Sequence, residues 1–519
     1  MKPTAEQRKI IESSPHESLA VEAFAGAAKT TTLEWRARAH PSRRFLNLAF
    51  NKSVNEDAKT RFPASNTTCK TTHGLAFYTC GRAYANTPKK LGTPKPYQAE
   101  RALQAAGRRS RGAAYAAICL DVVAAYCASP DEDLHEGFVS PEHAALFGVG
   151  TGEVARDARF LWEAMRWLNN PLPMSHDGYL KLYQLSQPDL TGRFDCIILD
   201  EAQDTNAAVF DLLVSQGLPL VVVGDTYQSI YAFRRSVDVM NRVPGGCRYS
   251  LTQSFRFGPE IAEVANTLLG VFLDPKHLLI GAGPRGAVLT QGQWEYQGSN
   301  AGAPPCHLSR TRAGVFQSAV EAHEAGLRVA WWGGVKSYEL WVLREVQLLA
   351  DGRHRKIRDP LMQRFATVDA LEEFAQSVQD RELLARIRIQ RRFGKRLYDL
   401  VERLQEAAVR DVWRADRIVS TAHRAKGAEF PVVVLGDDFP ALTIQQRLEQ
   451  TGKGERVPRT EGWIDRPGCA IPEDPEIYLL YVALTRAKKV LVMSKELEKL
   501  TDWAGVVQQG HRYRNAAGF

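Results

Sequence analysis

Two short apolar runs constrain this chain more than any other feature: Cys196 to Leu199, followed at once by Asp-Glu, and Leu220 to Val223, followed by Gly-Asp. Runs this brief that end in charge suit the carboxyl ends of buried parallel strands, where α/β proteins place their ligands. At 519 residues the chain is too long for one hydrophobic core, so several domains are expected. Phe45 to Phe50 reads as a further strand in the first third, and Ile418 to Thr421 and Pro431 to Leu435 read as strands near the end.

Between these strand-rich regions the pattern turns helical. Ala-rich and Arg-rich sequence from about 81 to 189 reads as a helical insertion, and a Gly-, Pro- and Ala-rich stretch from Gly281 to Pro305 reads as a loop. A second helical insertion covers 319–413, where Leu383, Ile387, Phe393, Leu397, Leu400 and Leu404 form an amphipathic stripe. Positions 381 to 410 hold nine Lys and Arg against four Asp and Glu, a local +5. Around Arg386 to Arg396 this could touch duplex phosphates, although a solvated helix face is the favoured reading. The organisation expected is two α/β cores, 1–80 with 190–245 and 246–318 with 414–519, each interrupted by an insertion.

Bulk properties exclude little. Lys plus Arg is 67 and Asp plus Glu is 59, and the resulting +8 permits a polyanionic partner without requiring one. No apolar stretch approaches the roughly 20 residues that span a bilayer, and the polar start from Met1 to Ile11 reads as the beginning of a folded domain. The eight cysteines form no CxxC pair, so free thiols in a reducing compartment are expected.

Val21 to Thr32 reads V-E-A-F-A-G-A-A-K-T-T-T. A strand, a turn of tiny residues (Ala25, Gly26, Ala27, Ala28) and a Lys-Thr pair opening a helix is the physics of a phosphate loop. Lys29 would reach the β/γ-phosphates and Thr30 would ligate Mg²⁺, with Thr31 beside them. Alanine stands at 28 and 23 where the usual pattern has glycine; Ala28 is read as tolerable because alanine can begin a helix. Alone, the segment reads equally well as an Ala-rich helix start. Ile197 to Asp204 reads I-I-L-D-E-A-Q-D, which places Asp200 to hold Mg²⁺ and Glu201 to accept a proton from an attacking water. Leu220 to Arg234 reads L-V-V-V-G-D-T-Y-Q-S-I-Y-A-F-R. Gln228 would sense the γ-phosphate, and Tyr231, Phe233 and Arg234 suit base stacking, with core packing as the competing reading for the aromatics.

The set as a whole resembles the UvrD/Rep/PcrA-type superfamily 1 helicases, and most closely the F-box DNA helicase branch without an F-box module. Nine motifs stand in the family's order. T-A-E-Q at 4–7 looks like the motif whose glutamine, here Gln7, recognises adenine. F-A-G-A-A-K-T-T-T-L, D-E-A-Q-D and G-D-T-Y-Q-S-I-Y-A-F-R match the first, second and third motifs. A-F-N-K-S-V at 49–54 and T-T-H-G at 71–74 look like the early DNA-contacting motifs, which implies roles for Phe50, Asn51, Thr72 and His73. L-T-Q-S-F-R at 251–256 resembles the fourth: the resemblance implies that Phe255 stacks on adenine and Arg256 contacts the γ-phosphate. S-T-A-H-R-A-K-G-A-E-F at 420–430 resembles the fifth, with Glu429 on the ribose and His423 near DNA; Y-V-A-L-T-R-A-K at 481–488 resembles the sixth, with Arg486 as a second arginine finger.

The resemblance implies an α/β fold of two RecA-like P-loop cores, ATP between them, Mg²⁺ as cofactor, and 3′-to-5′ movement along single-stranded DNA. It further implies single-stranded DNA and ss/ds junctions as partners, alongside repair or recombination proteins, in a monomeric, cytoplasmic, nucleoid-associated protein. Length and the missing F-box suggest a bacterial or phage source. Arg235 and Ser236 depart from the family's Gly-Ala; Arg235 reads either as a phosphate contact or as a solvated side chain. The second insertion is short for the family, which weakens the expectation of unwinding relative to translocation. The alternative function is a nucleotide-gated DNA-binding subunit of a larger repair or phage-defence complex. No nuclease segment is visible after Arg486.

Overall fold

The computed structural model describes residues 2–49, 51–109, 111–230, 239–273, 275–297, 303–359, 362–377, 380–439 and 474–502. The chain divides into two compact units, Met1–Ala23 with Ala28–Leu251 and Phe24–Ala27 with Thr252–Phe519.

The first unit is built on six parallel strands: β1 (Leu19–Ala23), β2 (Phe45–Ala49), β3 (Thr67–Thr71), β4 (Cys196–Leu199), β5 (Leu220–Gly224) and β6 (Cys247–Leu251), in the order β3-β2-β4-β5-β1-β6. β2, β4 and β5 are buried along their whole length, which is why their sequences are uninterrupted by charge. Because β1, β5 and β4 are neighbours and parallel, their carboxyl ends deliver the loop before Lys29, Asp225 and Asp200 to one edge of the sheet. The segment from β3 to β4 is helical, its principal helices being Ala113–Ala128, Thr151–Arg166 and His176–Leu185. These helices share one apolar core with the sheet: Tyr115, Val122, Trp162 and Leu180 belong to the same cluster as Leu46, Leu48 and Leu199.

β6 corrects the expected boundary. Cys247–Leu251, assigned from sequence to the second core, pairs with β1 and closes the first sheet. Its first two residues are exposed, the next two half-buried and only the last buried. An edge strand of this kind carries no apolar run by which it could be read.

The second unit holds a two-residue pair, β7 (Gln253–Ser254) with β8 (Ile280–Gly281), and a second six-stranded parallel sheet. Its strands are β9 (Ala287–Leu289), β10 (Cys306–Ser309), β11 (Val329–Trp331), β12 (Arg417–Thr421), β13 (Phe430–Leu435) and β14 (Ala487–Val492), in the order β11-β12-β10-β13-β14-β9. Two strands fall in stretches read as something else. β9 and the helix Gln291–Gln297 lie in the stretch read as a loop, and β11 lies inside the segment read as a helical insertion. Each strand is three residues long, too short for a periodicity to register.

The stripe is buried as its spacing requires, from Leu383 and Ile387 through Phe393 to Leu397, Leu400 and Leu404. It is carried on two helices, Arg381–Phe393 and Leu397–Glu406, broken where Gly394 takes φ 51°. Four of the six cations from Arg386 to Arg396 are engaged by the protein itself. Arg386 pairs with Glu382, Arg391 with Asp369 and Glu372, Arg392 with Glu321, and Arg396 with Glu324. This matches the solvated, self-paired face better than a duplex-binding one. No described helix is long and apolar enough to cross a membrane.

Candidate nucleotide and nucleic-acid sites

The phosphate loop begins where β1 ends. Phe24 to Ala27 form a turn in which the Ala27 N–H donates to the Phe24 carbonyl at 3.1 Å, with Gly26 at φ 76°. The helix Lys29–Ala39 follows, and its N-cap, Ala28, has no side chain to offer the first-turn N–H groups. Those donors and the positive end of the helix dipole are the elements of an anion site.

Ala28 itself overturns one expectation. It does not begin the helix in the helical region; it sits at φ 55°, ψ 40°, the left-handed conformation. This explains physically why the pattern prefers glycine here, since a Cβ in that region costs roughly 1–2 kcal/mol. Ala28→Gly is expected to raise unfolding stability by about 1 kcal/mol, after allowance for glycine's freer unfolded chain. Chemical denaturation measures it, and an unchanged or lower midpoint would show the alanine to be unstrained.

Lys29 is the centre of the first unit's charge. Its Nζ lies 3.2 Å from Glu201 Oε1, and its side chain is only 11% exposed. Burial pushes the ammonium down, but Glu201, Asp225 and Asp200 outweigh it and hold Lys29 above the ordinary lysine value. Glu201 reaches Lys29 from a left-handed residue of its own, at φ 54°, ψ 43°. Left-handed backbone at Glu201 itself and at Ala28, next to Lys29, marks a geometry imposed by the surroundings. Thr30 Oγ1 donates to Asp200 Oδ2 at 2.9 Å, and Asp200 Oδ1 accepts from the Glu201 N–H. Burial, with Glu201 adding to it, raises the Asp200 carboxyl to about 6.

Two residues that sequence reasoning missed complete the network. Gln203 Nε2 donates to Glu201 Oε2 at 2.6 Å, while its Oε1 accepts from the Asp225 N–H at 3.1 Å. Asp225 in turn accepts from Gln228 Nε2 at 2.7 Å, and burial lifts its carboxyl to about 6. The signal for Asp225 was present, because it follows β5 as Asp200 follows β4. Thus Gln228 reaches Glu201 through Asp225 and Gln203.

Gln7, expected to contact adenine, is bonded within the protein. It is 1% exposed, its Oε1 accepts from the Thr4 N–H at 2.9 Å, and its Nε2 donates to Thr32 Oγ1 at 3.0 Å. The glutamine closes a capping box on Ala5–Glu12 and ties that helix to the one bearing Lys29. Arg36, fully buried and also unforeseen, holds the other end of the same helix through the carbonyls of Ile10, Ser13 and Ser14. Thr31 Oγ1 accepts from Arg61 at 2.7 Å.

Among the expected DNA residues, Asn51 caps the helix Lys52–Arg61 through the Val54 N–H, and His73 Nε2 lies 3.0 Å from Asp177 Oδ1. Asn51, Thr72 and His73 line a cleft of about 1060 Å³ in the first unit, which also reaches Asp200 and Thr205. Phe50, Tyr231, Phe233, Arg234, Arg235 and Ser236 lie outside the described residues.

In the second unit Phe255 is half-buried, and Arg256 joins two partners: its Nε lies 3.0 Å from Glu429 Oε2 and its NH1 donates to the Thr485 carbonyl at 2.9 Å. Lys488 takes the other Glu429 oxygen at 2.8 Å. Burial would raise the Glu429 carboxyl, but Lys488 and Arg256 hold it below its usual range. Arg486, expected to point at phosphate, is 1% exposed. Its nitrogens donate to the Val482 and Ala428 carbonyls and to Thr485 Oγ1, satisfying the end of the helix Asp474–Leu484. His423 follows β12 on a short helix, and burial, with Arg310 adding to it, pushes it down to about 4, so it is neutral at pH 7.

The comparisons with known proteins agree with this architecture. Residues 167–241 match the UvrD/REP helicase N-terminal domain, and residues 350–498 match the UvrD-like helicase C-terminal domain. The chain is 34% identical to F-box DNA helicase 1 of Gallus gallus over 97% of its own length and 50% of that protein's. It is 28% identical to F-box DNA helicase protein 1 of Schizosaccharomyces pombe, over 96% of its length and 58% of that protein's. It also shares 32% identity over 124 residues with a probable DNA helicase II homolog of Mycoplasma genitalium. The chain therefore spans about half the length of the two F-box relatives it matches. With both helicase domains matched in sequence order, and with Lys29, Asp200, Glu201 and Gln228 gathered at the carboxyl ends of β1, β4 and β5, the chain belongs to the UvrD-like helicase family.

Proposed function

We propose that this chain is an ATP-dependent DNA helicase or translocase that moves 3′-to-5′ on single-stranded DNA, in DNA repair, recombination or replication. The observation that carries the reading is the Lys29–Glu201–Asp200–Thr30 arrangement. A phosphate-binding lysine, a carboxylate suited to take a proton from water, and a second carboxylate bonded to a threonine hydroxyl lie within hydrogen-bonding reach of one another.

A hydroxyl and a carboxylate, both hard oxygen donors, fit Mg²⁺, which keeps most of its waters and takes few protein ligands. Thr30 and Asp200 would hold the ion, whose chemistry is to neutralise phosphate charge. Glu201 would orient and deprotonate the attacking water. Gln228, linked to Glu201 through Asp225 and Gln203, would report the state of the γ-phosphate to the base. In the second unit, Arg256 and Arg486 would supply charge to the transferring phosphate, and Glu429 would take the ribose.

ATP hydrolysis measured with and without single-stranded DNA tests the motor, and strand displacement on 3′-tailed and 5′-tailed duplexes tests its direction. DNA-stimulated hydrolysis with unwinding of the 3′-tailed substrate alone is expected. Hydrolysis indifferent to DNA would overturn the motor in favour of a nucleotide-gated binding subunit.

A further inference from the structure

The outer edge of the first unit carries a group of residues that the nucleotide chemistry does not use. After β3 the chain runs into the helix Thr72–Ala76 and then a π-helical turn, Phe77–Gly81. The turn has a visible effect on which residues face inward. Buried positions step from Ala76 to Gly81, five residues, and then to Tyr84. Five is the π spacing, and turns of this kind are concentrated at functional sites. Gly81 permits it: a Cβ there would fall 2.9 Å from the Phe77 ring and 3.3 Å from that of Tyr179.

The extra residue leaves Tyr78 on the outer side, 72% exposed, the highest exposure of any large hydrophobic side chain among the described residues. Lys70, on the edge strand β3, places its Nζ 5.7 Å from the centre of the Tyr78 ring. Arg193 is close enough that its charge, after burial, pushes the Lys70 ammonium down. Arg82, one turn past Tyr78, is exposed as well. Among the described residues, Lys70, Arg82 and Arg193 make no ion pair. Cations gathered without a carboxylate around a solvent-exposed aromatic ring match a phosphate backbone with an unstacked base. The patch also continues a line: Asn51 follows β2, His73 follows β3, and Tyr78 lies five residues beyond His73 at the sheet's outer edge.

We propose that Tyr78, Lys70 and Arg193 form an additional single-stranded nucleic-acid subsite, in which Tyr78 stacks a base and the two cations hold its flanking phosphates, extending the strand path past His73. The subsite rests on the reading of the chain as a DNA motor. It lengthens the footprint without entering the hydrolytic machinery.

The test is binding of fluorescently labelled oligothymidylates of increasing length to the full chain, for wild type, Tyr78→Ala, Tyr78→Phe and Arg193→Gln. Tyr78→Ala is expected to weaken binding of the longer oligonucleotides by between about 5- and 150-fold, the value of one base stack. It should leave the shortest oligonucleotide that wild type still binds, and hydrolysis without DNA, unchanged. Tyr78→Phe should bind as wild type does. Arg193→Gln should flatten the slope of log affinity against log salt by about 0.7, one phosphate contact on a single strand. Wild-type affinity in Tyr78→Ala at every length, or an equal loss at every length, would overturn the subsite and leave the motor reading intact. Failure of wild type to bind single-stranded DNA would instead bring down the motor reading, and the subsite with it.

Discussion

Lys29→Ala is expected to reduce ATP hydrolysis by roughly 10³-fold, the loss that follows removal of one preorganised donor to a transferring group. A second, independent effect distinguishes this lysine from a generic surface contact. Lys29 is the cation that faces Glu201, Asp225 and Asp200 in the first unit. Asp200 and Asp225 both sit at about 6 with Lys29 present, above the ordinary aspartate value. A folded-state value above the unfolded one means that the folded protein binds more protons across that window. These two carboxylates therefore cost stability progressively as pH rises from about 4 to 6, and little further above it. Without Lys29 both carboxyls move higher and the window reaches neutral pH. Denaturation curves should then show Lys29→Ala losing at least about 1 kcal/mol more than wild type between pH 6 and 8, because each tenfold gain in a carboxylate's proton affinity is worth about 1.4 kcal/mol, while wild type loses under about 1 kcal/mol there. A variant with parallel pH dependence would show that Lys29 is not their counter-charge.

The parts of this molecule that could be read from its sequence are those where one residue type answers to one physical demand. β4 and β5 are apolar because they are buried on both sides, and their acids stand at the strand ends because ligands collect there. The stripe from Leu383 to Leu404 was legible for the same reason. Where the demand depends on the third dimension, the reading failed or stopped short. Ala28 carries no sign that its backbone is left-handed, and alanine's helix preference points the other way. Gln7 has the motif's identity, but its amide is turned inward onto Thr4 and Thr32, which only the packing of two helices decides. Arg486 keeps the family's residue type, and only the packing shows that its guanidinium also satisfies the end of its own helix. Gln203 escaped notice because its role consists of two hydrogen bonds to residues at different strand ends. β6, β9 and β11 were invisible because an edge strand or a three-residue strand presents no periodicity.

Arg256→Ala is expected to lower the turnover of ATP by about 10³- to 10⁵-fold, the range for arginines that neutralise transition-state charge in related NTPases, with a much smaller change in nucleotide affinity. The structure adds a constraint on the conservative variant. Arg256 spends two nitrogens on acceptors that diverge, Nε on Glu429 and NH1 on the Thr485 carbonyl. Such bonds fix the plane of the guanidinium and leave NH2 at the fork's far corner. A lysine has a single nitrogen on a flexible stem and cannot hold Glu429 and Thr485 while also presenting charge elsewhere. Arg256→Lys should therefore remain within about 10-fold of Arg256→Ala in turnover, by the same difference measurement. Glu429→Gln should behave otherwise. Lys488 and Arg256 both hold Glu429 charged, so loss of the carboxylate releases two cations without removing either. Turnover then falls by less than in Arg256→Ala, and steady-state kinetics on the three variants order them. Recovery of most of the activity by Arg256→Lys would show that only the charge of Arg256 is used, and that its two-point attachment is incidental.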